Sequence, residues 1–188
     1  MVAAKKILDR SRLGFAVYGI AVALGATEAH AQLTPTFTAT ATQPLQFGKV
    51  VTAGGGSITI SPDGAISENG VVPVSGVSSS PAQYTLTYTK SLLNLLNTQL
   101  IITITLVAPS GVNTGKISGT LSGFTTDFPG YSQIQAGQTM TYTMTNCFSP
   151  TCSITFHIGG TLNLSTSGGG GTLTFPLVVM ASATSALL

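Results

Sequence analysis

The chain reads as an all-β protein, a single antiparallel β-sandwich of immunoglobulin-like type behind a cleaved leader. Three observations predict this. Apolar and polar residues alternate over short runs, and glycine, proline, serine and asparagine separate those runs. The amino terminus is a basic head followed by a brief apolar stretch.

The leader comes first in the chain. Lys5, Lys6, Arg10 and Arg12 precede the apolar run Leu13 to Ala26, and Ala29 and Ala31 supply the small residues of an A-x-A exit. The run of 14 residues falls short of the roughly 20 that span a bilayer. Residues 1–31 are therefore expected to be a secretory signal peptide, cleaved between Ala31 and Gln32, with no membrane span in the mature chain. The destination would be the periplasm, the cell surface or the extracellular space. The formal charge of +2 belongs to this leader. Beyond it, Lys49, Lys90 and Lys116 balance Asp63, Glu68 and Asp127. Three scattered lysines cannot release the counterions on which nucleic-acid capture depends, so that partner is excluded. An almost uncharged surface gives little repulsion between copies and favours self-association.

The strands follow from the alternation. In AQYTLTYT, Tyr84, Leu86 and Tyr88 share one face and Thr85, Thr87 and Thr89 the other. QLIITITLV points Leu100, Ile102, Ile104 and Leu106 inward, and TMTYTMT sets Met140, Tyr142 and Met144 against threonines. TLTFPLVV groups Leu173, Phe175, Leu177 and Val179 as a final strand. Threonine suits the outer faces because it is β-branched yet polar. Ser61 to Ala65 is a Pro-Asp-Gly turn, and the glycine runs at 53–57 and 167–172 read as strand connections. Only SLLNLLN, residues 91–97, resembles a helix, and it is expected to be one turn or a loop. Nine to eleven strands result. A transmembrane barrel is disfavoured: there is no tryptophan for an aromatic girdle and no terminal aromatic, and many strands are shorter than the ~9–11 residues a spanning strand needs.

Chemistry, if present, should lie in NCFSPTCSITFHIGG, which holds Cys147, Cys152 and His157. In an oxidising compartment two thiols separated by a Ser-Pro turn are expected to pair. Closing so small a loop stabilises by about 2 kcal/mol. Strict alternation puts Cys147 on the threonine face and Cys152 on the apolar face; a β-bulge near Asn146 or an irregular tip would reconcile them. A metal site is rejected on distance, since His157 lies about 16 Å along a strand from Cys152 and on its opposite face. No G-x-S-x-G elbow occurs, and AGGGS lacks the lysine and helix of a phosphate loop. No enzyme activity, metal or cofactor is therefore expected.

Three stretches together carry a resemblance. PLQFGKVVTAGGGSITISPDGAIS joins an apolar-x-Phe-Gly, a glycine run and a Pro-Asp-Gly turn; SSSPAQYTLTYT follows; FHIGGTLNLSTSGGGGTLTFPLVV carries Gly159-Gly160-Thr161-Leu162. These resemble the secreted bacterial family called domain of unknown function 4402, over about Pro44 to Val179. The family is similar in style to pilin-like and spore-coat-like sandwiches, which implies an exported surface or fibre component and brings no catalytic residues. The departures are SLLNLLN, the cysteine turn, and an ending that runs on through MASATSALL.

The resulting expectation is a leader (1–31), an N-terminal extension (32–43) and a sandwich domain (44–188). Its expected role is a structural subunit of a bacterial surface filament or coat, a homo-oligomer with a possible surface-assembly or chaperone partner. The alternative is a monomeric adhesin or ligand-binding sandwich. In the extension, Phe37, Ala39 and Ala41 form a thin apolar face ending at Pro44, which cannot donate to a ladder and separates this face from a strand containing Leu45 and Phe47. Two readings stand: a strand donated to the sheet edge of the next subunit, or an ordinary first strand of its own sheet.

Overall fold

A computed structural model describes residues 34–76, 78–91, 98–109, 111–168 and 171–187. The expected leader with its exit at Ala31 and Gln32, and residues 92–97 of the helix-like patch, lie outside the described residues.

The alternating segments all extend into strands. In order they are β1 (Thr36–Gln43), β2 (Val50–Val51), β3 (Gly55–Ile60), β4 (Ile66–Asn69), β5 (Val72–Pro73), β6 (Ala82–Thr89), β7 (Thr98–Val107), β8 (Val112–Asn113), β9 (Ile117–Thr126), β10 (Thr139–Cys147), β11 (Thr151–Thr166) and β12 (Val178–Leu187). The described residues thus hold more strands than the nine to eleven expected. The excess comes from β2, β5 and β8, each two residues long and too short to leave a periodic signal.

All pairing is antiparallel. The larger sheet runs β1-β6-β11-β3-β4, with β9 also on β11 and β8 on β9; the smaller runs β10-β7-β12, and β2 with β5 forms a separate ribbon. The two main sheets face each other across one core. Tyr84, Leu86 and Phe156 from the larger meet Ile102, Ile104, Met140 and Val179 from the smaller, all buried. Phe128, from the segment after β9, sits within this core, 5.0 Å from the Phe156 ring and 5.9 Å from the Tyr142 ring. The fold is an all-β sandwich.

β11 organises the larger sheet. Its first half, Thr151 to Ile158, pairs with β6, and from Gly160 onward it pairs with β3, while Ile158 to Thr166 also pair with β9. The change of partner falls at Gly159-Gly160. A Cβ on Gly159 would lie 2.1 Å from the Ile60 carbonyl oxygen, and one on Gly160 3.0 Å from the Phe124 ring. Neighbouring backbone and ring occupy the space of a side chain, which is the physical content of the Gly-Gly-Thr-Leu block.

Two sequence expectations need correction. The final strand does not span Leu173 to Val179: residues 171–177 are irregular, and β12 begins at Val178 and continues through the MASATSAL ending in ten consecutive pairs with β7. Leu173, Phe175 and Leu177 still turn partly inward, so the alternation was real but lies ahead of the ladder. Nor do Leu45 and Phe47 belong to a strand. They pack on the core from an irregular segment whose only ladder contact among the described residues is Gln46 with Ser80.

Candidate functional site

The two cysteines are bonded, with Cα atoms 5.9 Å apart, across the tip where the chain passes from β10 of the smaller sheet to β11 of the larger. Cys147 is buried and Cys152 half-buried, and the β10 register shifts between Met144 and Cys147. That irregularity turns Cys147 inward and removes the parity conflict. Beneath this tip lies Lys90, 5 % exposed. Its ammonium donates to the Cys147 carbonyl, and its backbone N–H donates to the Pro150 carbonyl at 2.8 Å. One residue therefore holds two carbonyls of the tip from inside, while Phe148, Ser149 and Pro150 point outward.

His157 lies on the outer face of β11, as its odd separation from Cys152 requires. It does not stand alone there. Its Nδ1 is 2.7 Å from Asp127 Oδ2, and its backbone N–H donates to Asp127 Oδ1. On the far side Nε2 is 2.9 Å from the Gln83 amide nitrogen. Thr42 Oγ1 donates to Gln83 Oε1 at 2.9 Å, which leaves the Gln83 NH₂ facing the ring. Nε2 then accepts, and Nδ1 carries the proton shared with Asp127. The chain Thr42–Gln83–His157–Asp127 ties β1, β6, β11 and the segment after β9 together.

Sequence reasoning missed Asp127 as the partner of His157, because 30 residues separate them and only the β9–β11 pairing brings them together. An imidazole oriented by a carboxylate is half of a general-base arrangement. Here its free nitrogen meets an amide donor rather than a hydroxyl, and the arrangement acts as a polar fastening. The cleft beside it, about 760 Å³, is lined by His157, Asp127, Ser61 and Asp63. Asp63 accepts hydrogen bonds from Ser61 Oγ and the Ala65 N–H within the Pro-Asp-Gly turn, and these hold its carboxyl below the ordinary value. Glu68 is on β4, exposed. Among the described residues no three His, Cys, Asp or Glu side chains are grouped to hold a metal.

The N-terminal extension forms β1, at the edge of the larger sheet, with β6 as its sole ladder partner among the described residues. Phe37, Ala39 and Ala41 pair with Tyr88, Leu86 and Tyr84 on the inward side. Phe37 is half-buried against the core, while Ala39 and Ala41 stay exposed. The outer edge of the smaller sheet is treated differently. On β10 the Thr141 N–H donates to the Tyr131 hydroxyl at 3.0 Å, and that hydroxyl donates back to the Thr141 carbonyl at 3.3 Å. One phenol thus covers a donor and an acceptor on that edge.

These features define a disulfide-stapled antiparallel β-sandwich with one thinly covered edge strand. The chain belongs to the family described as Domain of unknown function (DUF4402), whose family model matches residues 37–179, from β1 into β12. No curated protein and no solved structure matches the chain. No helix among the described residues is long and apolar enough to cross a membrane.

Proposed function

We propose that the protein is exported and serves as a structural subunit of a bacterial cell-surface filament or coat, joined by strand addition. The observation that carries this reading is β1, an uncharged edge strand held by one neighbour, with two of its three inward residues left exposed. A strand that covers so little core loses little when it is exchanged for the same strand of another copy, and the vacated β6 edge supplies a full ladder to receive it. Donation from one copy to the next does not close, and so extends a fibre. The cancelling charges of residues 32–188 and the disulfide support the same reading.

The test is a chain starting at residue 44, compared with one starting at residue 32, by light scattering and electron microscopy. The longer chain should assemble; the shorter should fold and remain monomeric. Normal filaments from the shorter chain would exclude β1 as the joint. The second reading, a monomeric ligand-binding sandwich, draws on the polar cleft beside His157 and Asp127. It predicts a single small particle for both chains.

A further inference from the structure

The two ends of the smaller sheet are complementary. At one end the stapled tip carries Phe148, 67 % exposed and the most exposed of the large hydrophobic side chains described. The disulfide closes the tip, and Lys90 holds the carbonyls of Cys147 and Pro150, so the ring projects from a loop that is already ordered. Fixing an apolar anchor before contact removes part of the ordering cost of binding. Among the described residues every other aromatic ring is buried or half-buried, and an exposed ring on a braced loop calls for a partner surface.

At the other end is a cleft of about 620 Å³, within the size range of binding pockets. Its floor is Leu121, Phe124 and Ile134, each buried, and glutamines line its rim. Among the described residues no charged side chain lines it. Exposed Val107 and Val178, which pair with each other next to Ala108 of the cleft wall, extend its apolar surface. The opposition of finger and cleft follows from the ladder: Gln138, on the cleft, precedes β10, and Phe148 follows it. The strand between them places the two roughly 30 Å apart at the rise of a β-strand.

We infer that copies of this chain stack head to tail, the Phe148 tip of one seated in the Leu121–Phe124–Ile134 cleft of the next. A projecting apolar anchor and an uncharged apolar-floored cleft at opposite ends of one molecule make a heterologous contact, which propagates without closing. A second copy is the occupant because the same chain presents both halves, and neither half carries a charge to repel the other. The inference rests on the chain being a self-assembling subunit; a fibre needs this contact as well as the exchange of β1, so that loss of either leaves monomers.

Two substitutions at exposed positions test it in the full mature chain, Phe148→Ser on the finger and Ala136→Arg in the cleft. Each variant alone should lose assembly, with the contact weakened roughly 30-fold or more as expected for an aromatic anchor. Both should keep the parent's circular dichroism and melting temperature. Mixed, they should form one-to-one dimers and nothing longer, because one functional finger and one functional cleft remain. Parent filaments with both variants assembling normally would overturn the finger-in-cleft contact and leave the filament reading intact. A parent chain monomeric at every concentration would overturn both.

Discussion

β1 and β12 are the first and last strands described, both edge strands with a single ladder partner among the described residues, and they differ in what lies beneath them. β12 pairs with β7 through ten consecutive residues and turns Val179, Ala181 and Ala183 into the core, Val179 at 8 % exposure. β1 pairs with β6 across an irregularity between Ala41 and Gln43 and buries only part of Phe37. The same hydrogen-bond pattern therefore has very different consequences. Ladder bonds exchange water for protein at small net gain, and burial of apolar area decides whether a terminal strand is committed.

The largest expected effect removes each strand in turn. A chain truncated after residue 177 should fail to fold, read as loss of the β-sheet dichroism and rapid proteolysis, because β7 then has an uncovered inner flank. The chain starting at residue 44 should keep both signals. If the two truncations behave alike, the contrast between the strands is wrong.

Smaller changes sharpen the comparison. Val179→Ala should lower stability by about 2–3 kcal/mol in urea unfolding, the cost of a buried aliphatic truncation. The paired change Cys147→Ser with Cys152→Ser should cost about 2 kcal/mol. It acts at the end where β1 begins, since Thr36 pairs with Thr89 and Thr89 with Thr151. Phe37→Ala, on the half-covered strand, should cost only about 1 kcal/mol.

The smallest effect lies at the other end of β1, in the cleft that Gln43 shares with Asp63. The Asp63 carboxyl is held below 3.8 by Ser61 and Ala65. Its contribution to stability is therefore present above pH 3.8 and is lost as pH falls through the lower folded-state value. Asp63→Asn should reduce stability slightly at neutral pH, and the two proteins should converge in acid. Curves that stay parallel below pH 3.8 would deny the carboxyl that role.

Much of the architecture was legible in the residues. Alternation in AQYTLTYT and QLIITITLV put Tyr84, Leu86, Ile102 and Ile104 in the core, because a period of two has one inward phase. The start of β12 was not legible, since Leu173 to Leu177 alternate just as a strand does and only a partner distinguishes the two. The Asp127–His157 pair was hidden for a related reason: it depends on strand order, which local pattern does not encode. Phe148 was hidden because alternation assigns a face only along a strand and assigns none at a tip. The parity problem at Cys147 was visible as a contradiction, and its resolution required the irregular register in β10.

The change of partners along β11 also has a mechanical consequence. The strand is 16 residues long, about 50 Å at its usual rise, and it never leaves the larger sheet while β6 gives way to β3 on one flank and β9 joins the other. Tension applied between the two ends of the sandwich runs parallel to this strand and loads its ladders in shear, so that many bonds must yield together. Tension applied sideways at β1 would instead part its ladder one bond at a time. The molecule is thus built to resist stretching along its length far better than peeling at its thin edge.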